Sequence, residues 1–375
     1  MTHRQRIRTA LARRQPDRVP LDLGGTGCST MTTGAHSKLR VHLGIPAEPA
    51  APLFSRRGST AIVDRAIVER FQCDVLPLVP GAPAKAERDV SEIAFVDEFG
   101  VTWQRHSGTH YINVNGPFQK LDEPVPADVD RFAWPDPLDP ARYTGLGERA
   151  RALREQADYA VALTAWLGPV HLSQFMRGYV EWLEDLLARP SFVEALLDRF
   201  VSLWIVAMDR ILAECQGEVD AVLFGDDIGT QNGPLFRPEL YRRFVKPHHK
   251  RMVEALKRRG VPVIYHSCGS VAALIKDLID TGIDALNPVQ VAAAGMDTAW
   301  LKTEFGRDLA FWGAIDTQRV LSRGTPAEVR DEVHRRIDDL AETGGYVLCG
   351  VHNIQAEVPP ENVVAMYEAA LEYGH

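Results

Sequence analysis

The segment His266-Ser-Cys268-Gly269 sets an imidazole and a thiol two residues apart, directly after the apolar run Val261–Tyr265. On an extended strand residues i and i+2 point the same way, so both side chains aim at one place. Nitrogen and sulfur donors converging on a point suit Zn²⁺, at about 2.0–2.1 Å to His and about 2.3 Å to Cys, and a catalytic zinc keeps one position for substrate. With 12 His and 5 Cys in 375 residues, chance alone supplies about 0.16 His-x-Cys pairs. The pair gains weight from its place at a strand end.

A metal needs further ligands, and Tyr346-Val-Leu-Cys349-Gly-Val-His352-Asn353 offers two: either Cys349 or His352 could close the site. A carboxylate of Gly225-Asp226-Asp227-Ile-Gly229 is another donor. Adjacent residues of an extended chain face opposite ways, so at most one of the two acids meets a metal directly. The competing reading is structural: a free Cys is often a small buried apolar residue, and a strand-end Asp often caps the next helix. Around the donors, Asp227 and Asn287 are the candidate catalytic groups. Asp226 and Gln290 would bind a polar substrate, and Trp166 and Tyr265 would supply an apolar wall. His171 either enters the site or sits at the start of a helix, His106 and His110 belong to a lid or to the surface, and His248 and His249 fall within a helix and are not ligands.

These residues need a frame. After a basic opening helix at about 2–14, eight Val/Ile/Leu-rich runs alternate with amphipathic stretches: Val19–Asp22, Asp74–Val79, Tyr159–Thr164, Ala221–Phe224, Val261–Tyr265, Ala285–Asn287, Leu309–Trp312 and Tyr346–Leu348. Repeated βα units of this number predict an α/β fold, a single (β/α)8 TIM-type barrel over residues 1–375, with its chemistry at the C-terminal ends of the strands. Three short β-like runs within 91–115 read as a β-rich insertion after the second strand. Ser191-Phe-Val-Glu194 and Thr325-Pro-Ala-Glu328 read as capping boxes. The apolar positions from Phe192 to Leu212 fall at helical spacing and belong to the core.

Composition removes several classes. With 45% hydrophobic and 25% charged residues, the chain is neither disordered, coiled coil nor collagen-like. A net charge of −8 gives no general attraction to nucleic acid or an anionic membrane. No apolar run is long enough to span a bilayer and no apolar core follows the basic N-terminus, so a cytoplasmic location is expected. Five cysteines without an export signal read as thiols or metal ligands rather than a disulfide framework.

The segments Phe236-Arg-Pro-Glu-Leu-Tyr-Arg-Arg-Phe244, Lys246-Pro247, Val263-Ile-Tyr-His-Ser-Cys-Gly269, Asp284-Ala-Leu-Asn287, Gly313-Ala-Ile-Asp316 and Val358-Pro-Pro-Glu-Asn362 together resemble the uroporphyrinogen decarboxylase superfamily. They are most similar to its zinc-dependent, corrinoid-linked methyltransferases, the branch that includes methylcobamide:coenzyme M methyltransferases. The resemblance implies the barrel fold and a zinc held through a His-x-Cys pair and a distant Cys. That pair maps onto His266 and Cys268. Counting back from Pro359-Pro-Glu-Asn362, the distant position falls on His352, three residues after Cys349, and His352 is preferred.

Two thiolates and one His would cancel the metal's charge, whereas two His and one Cys leave about one positive unit and a stronger Lewis acid. The second set favours demethylation of a small methylated substrate, such as a methoxy compound, over methylation of a thiol acceptor. No Asp-x-His-x-x-Gly cobalamin-binding motif occurs in the chain, so the corrinoid would be carried by a separate protein. A homodimer is compatible with this reading. One alternative is a metal-free decarboxylase, but the first strand, Arg18-Val-Pro-Leu-Asp-Leu-Gly-Gly-Thr-Gly27, lacks the arginines with which that enzyme binds a polycarboxylate. The other alternative is a barrel that binds a small molecule without turnover.

Overall fold

In a computed structural model that describes every residue except 47–49, 84–85, 107–109, 156 and 166, the short aliphatic runs pair as parallel strands. They are β1 (Val75–Leu78), β2 (Ala160–Thr164), β3 (Ala221–Gly225), β4 (Val263–His266), β5 (Ala285–Asn287), β6 (Ala310–Ile315) and β7 (Tyr346–Gly350). Each lies beside its successor in the chain, so that among the described residues seven strands form one sheet in the order β7-β6-β5-β4-β3-β2-β1. Helical crossovers between neighbouring parallel strands give this order.

The eighth position is filled by backbone rather than by a full strand. Leu21 forms a parallel bridge to Leu348. On that side Leu348 N–H donates to Pro20 O (2.9 Å) and Asp22 N–H to Leu348 O (3.0 Å), while on the other Asp74 N–H donates to Leu21 O (2.7 Å). The segment therefore joins β7 to β1 and closes the barrel. The expected strand Val19–Asp22 shrinks to a bridge because Pro20 has no N–H to give and Gly24, at φ +84°, turns the chain away.

Alternation divides the strand residues. Val75, Ala160, Ala162, Leu223, Ile264 and Trp312 point into the barrel, where Ile7, Ala10 and Leu11 of α1 (His3–Leu11) join them. Leu163, Phe224, Tyr265 and Leu286 face outward under the helices. Both faces of the sheet are covered, which is why its strands read as nearly unbroken apolar runs. The capping box at Thr325 forms, with Pro326 opening its helix. Ser191 does not cap, because the helix starts one residue earlier at Pro190 and runs to Cys215.

Between β1 and β2 the chain folds into a four-stranded antiparallel meander: Glu87–Ser91, Ala94–Asp97, Thr102–Gln104 and Ile112–Asn115. The first of these was not expected, since Glu-Arg-Asp-Val-Ser is exposed along its whole length and shows no apolar alternation. His106-Ser-Gly108, which by its glycine reads as a turn between two of the expected runs, lies partly outside the described residues. Trp103 anchors the meander, meeting Phe175 of α2 (Pro169–Arg177) edge-on at 5.0 Å.

Candidate metal centre

His266 ends β4 with its side chain toward the C-terminal mouth of the barrel. Opposite it in β3 is Gly225, where a Cβ would lie 2.5 Å from His266 Cβ. Glycine is required there for the imidazole to fit. The ring is oriented from behind: His266 Nδ1 donates to Asn287 Oδ1 (2.7 Å), whose amide is itself fixed by Nδ2–H donating to Trp312 O (3.2 Å). This leaves Nε2 facing Cys268 Sγ at 3.5 Å. Tetrahedral zinc with ordinary bond lengths separates a nitrogen and a sulfur ligand by about 3.6 Å. The pair is spaced as two ligands of one ion.

Other donors surround the same nitrogen. The ligand atoms of Cys28, His266 and His352 all lie within 4.8 Å of one another, and so do those of Asp227, His266 and Cys268. The rings of His266 and His352 meet edge-on at 5.5 Å. Cys28 had drawn no attention beyond its place among five thiols. It reaches the site on the glycine-rich turn after the Leu21 segment, where Gly27 N–H donates to Thr164 Oγ1 (2.8 Å) and Asn353 Nδ2–H to Gly27 O (3.1 Å). Those two partners belong to the end of β2 and to the loop carrying His352.

The two adjacent acids do part company. Asp227 turns toward the mouth: its Oδ1 accepts Cys268 N–H (2.8 Å) and its Oδ2 lies 3.4 Å from His171 Nε2. Asp226 is fully buried on the helix side, with Oδ1 accepting His171 N–H (2.7 Å) and Oδ2 paired to His249 Nε2 (2.8 Å) in α3 (Lys246–Arg258). It cannot touch a substrate in the barrel mouth, so the expected binding role is corrected to a structural one. Tyr265 is corrected likewise, since it faces outward against Phe224 and His249, and its hydroxyl donates to the Asp226 carbonyl (3.3 Å).

Cys349 is also removed from the ligand set. It packs among the interior residues, its thiol on Gly350 O (3.3 Å), and belongs to neither donor group. Asn287 lies behind His266 rather than at the reacting face. Gln290 accepts Gly269 N–H (2.7 Å) and so braces the turn that carries Cys268. Trp166 lies outside the described residues. The insertion reaches the same rim: His110 Nε2 lies 2.8 Å from Gln355 Oε1, in the loop after His352.

The electrostatics follow from burial and neighbours. Burial, reinforced by the charge of His266, brings His352 down to about 4, so at neutral pH it is the uncharged imidazole a metal requires. Burial opposes charge on His266, yet Cys28 and Cys268 together raise it well above the ordinary 6.5, and a cation at Nε2 would replace that proton. Asp227 also works against burial, and His171 holds it far below the usual carboxylate range. Burial drives the Cys349 thiol well above its ordinary range.

Residues 106–373 match the uroporphyrinogen decarboxylase (URO-D) family. The chain belongs to that family. Among its relatives, the uroporphyrinogen decarboxylase of Geobacter metallireducens is 25% identical, over 68% of this chain and 72% of its own length. The methylcobamide:CoM methyltransferase MtbA of Methanosarcina acetivorans is 26% identical over 55% of this chain, and the match spans 57% of MtbA. A methyltransferase from Methanosarcina mazei superposes with a TM-score of 0.72 at 19% identity, covering 100% of this chain and 99% of that one, which establishes a shared fold. Identity thus leaves decarboxylases and methyltransferases level. Among the described residues, no helix of this URO-D barrel is long and apolar enough to cross a membrane.

Proposed function

We propose that this chain is a zinc-dependent methyltransferase, moving a methyl group between a small methylated compound or thiol and a corrinoid carried by a separate protein. The observation that supports it most is the spacing of His266 Nε2 and Cys268 Sγ, 3.5 Å apart, with His352 on the other side of His266. His266, Cys268 and His352 would hold the ion, and the mixed nitrogen and sulfur donors fit zinc. When bound, zinc supplies Lewis acidity that eases departure of an ether oxygen or keeps an acceptor thiol ionised.

The chain's own residues position and exclude. Asn287 keeps His266 Nε2 turned to the ion, Gln290 braces the Cys268 turn, and Asp227 fixes Cys268 through its N–H. Two imidazoles and one thiolate leave about one positive unit uncancelled, and this set favours demethylation. In that direction a cob(I)amide on the partner would supply the electron pair of the new carbon–cobalt bond, while the ether oxygen would keep the pair of its broken bond to the methyl carbon and take a proton from water. A metal-free decarboxylase would need Asp226 or Asp227 as its acid or base. Asp226 is enclosed by His171 and His249, and Asp227 is committed to Cys268 and His171.

The test supplies zinc-loaded protein with cob(I)alamin and methoxylated aromatics, or with methylcobalamin and simple thiols, and follows the corrinoid spectrum. Methylcobalamin should appear with the methoxylated compounds and not with a His266→Ala variant. Turnover of thiols alone would reject the demethylation direction. Carbon dioxide release from a carboxylated substrate by zinc-free protein would reject methyl transfer.

A further inference from the structure

The five cysteines divide by environment. Cys73, Cys215 and Cys349 are buried, whereas Cys28 and Cys268 are only partly so. Those two flank a single imidazole, His266, which belongs to both donor groups. With Nδ1 committed to Asn287, His266 has one nitrogen for a metal, so that nitrogen serves one ion and not two, with Cys28 and His352 in one donor group beside it and Cys268 in the other. The turn that delivers Cys28 is closely seated. A Cβ on Gly27 would come within 3.0 Å of Phe54 Cε1 and 3.1 Å of Thr164 Cγ2, and Asn353 Oδ1 accepts Thr30 N–H (3.0 Å) two residues beyond the thiol. The loop is tied on one side to β2 and on the other to the segment bearing His352.

We propose that Cys28 is a ligand of the metal. The inference rests on the reading above that a zinc sits between His266 and Cys268. It gives the ion two imidazoles and two thiolates: Cys28 from the turn after the Leu21 segment, His266 and Cys268 from the end of β4, and His352 from the loop after β7. The Cys28 thiol proton passes to solvent as the sulfur–metal bond forms. Where the resemblance expects a distant C-terminal Cys, this chain has His352, and Cys28 restores the second sulfur from the opposite end of the sequence. Barrel closure makes the exchange feasible, because the Leu21 segment lies directly beside β7. A second thiolate cancels the positive unit left by the other three donors, so the open position and the charge that favours demethylation belong to the ion once a reactant displaces Cys28.

The test uses the full chain, stripped of metal and loaded with Co²⁺. Thiolate-to-cobalt charge transfer in the near ultraviolet should fall to about half in Cys28→Ser and to about half in Cys268→Ser, and remain at the wild-type level in Cys349→Ala. Zinc affinity, measured by competition with a chromophoric chelator, should weaken in Cys28→Ser by at least about 100-fold, more than loss of an outer-shell partner costs. Circular dichroism checks that each variant is folded. A folded Cys28→Ser protein with the wild-type charge-transfer intensity and zinc affinity overturns the inference and leaves the proposed function standing. Failure of the wild-type protein to bind one equivalent of either metal overturns both.

Discussion

The two ends of the barrel treat the same residue type in opposite ways. Asp74 and Asp220 stand just before β1 and β3, at the N-terminal end, and both are buried. Asp74 accepts hydrogen bonds from Arg6 (2.6 Å), Arg18 (2.9 Å) and Leu21 N–H (2.8 Å), with His3 Nδ1 a further partner at 2.8 Å. Asp220 accepts from Arg4 (2.9 Å), Arg8 (2.8 Å) and Arg154 (2.9 Å). At the C-terminal end Asp226 and Asp227 are matched instead to His249 and His171. Arginine keeps its charge at every working pH and has no lone pair to offer, so the lower acids are permanently saturated. Histidine exchanges a proton and can give a lone pair. The lower end is built to stay closed and the upper end to hold something that is not protein, the division of labour usual in such barrels.

Three substitutions would break or sharpen this contrast. The largest effect is expected at the top: His266→Ala should lower bound zinc from one equivalent to near zero by elemental analysis, with the unfolding midpoint of the metal-free protein little changed. If metal stoichiometry survives, the upper end is not a metal centre. Next, Asp74→Asn should cost about 3–5 kcal/mol of stability by urea unfolding, because it strands buried arginines, while zinc affinity stays at the wild-type value. Burial raises the Asp74 pKa, but His3, Arg18 and Arg6 outweigh it and hold it below 3.8. Its contribution is therefore present above that value and lost as pH falls through the lower, folded one, so the variant's stability should decline less between pH 4 and 2 than that of the wild type. The smallest effect is expected one step behind the metal. Asn287→Ala should weaken zinc binding by about 10–100-fold with little loss of stability, and an unchanged affinity would show that His266 needs no brace.

Much of the frame was readable in the sequence, since seven of eight apolar runs became strands and short aliphatic runs between amphipathic helices have few other uses. The rule that joined His266 to Cys268 could have gone further. With Ile264 inward, alternation puts Tyr265 outward, and the same step parts Asp226 from Asp227. Cys349 also follows the rule and points inward, but periodicity does not say which inward positions meet, and it packs with the interior residues outside both donor groups. Cys28 left no local signal. It is more than two hundred positions from His266, it lies on the turn after Val19–Asp22, the expected strand that the structure reduces to a bridge, and only closure of the sheet brings the two together. His171 needed similar information, because its partner Asp227 comes from a different βα unit.

Helix α1 presses Ile7, Ala10 and Leu11 into the barrel's lower end, while its Arg4, Arg6 and Arg8 grip the rim acids. A floor stopped in this way turns the interior into a cul-de-sac, with traffic in both directions sharing the upper doorway. Under the methyl-transfer proposal, a small reactant must already be seated when a bulky, protein-borne one arrives to cover the entrance, and it can depart only after that visitor lifts off. Turnover would then follow a compulsory order imposed by architecture rather than by chemistry.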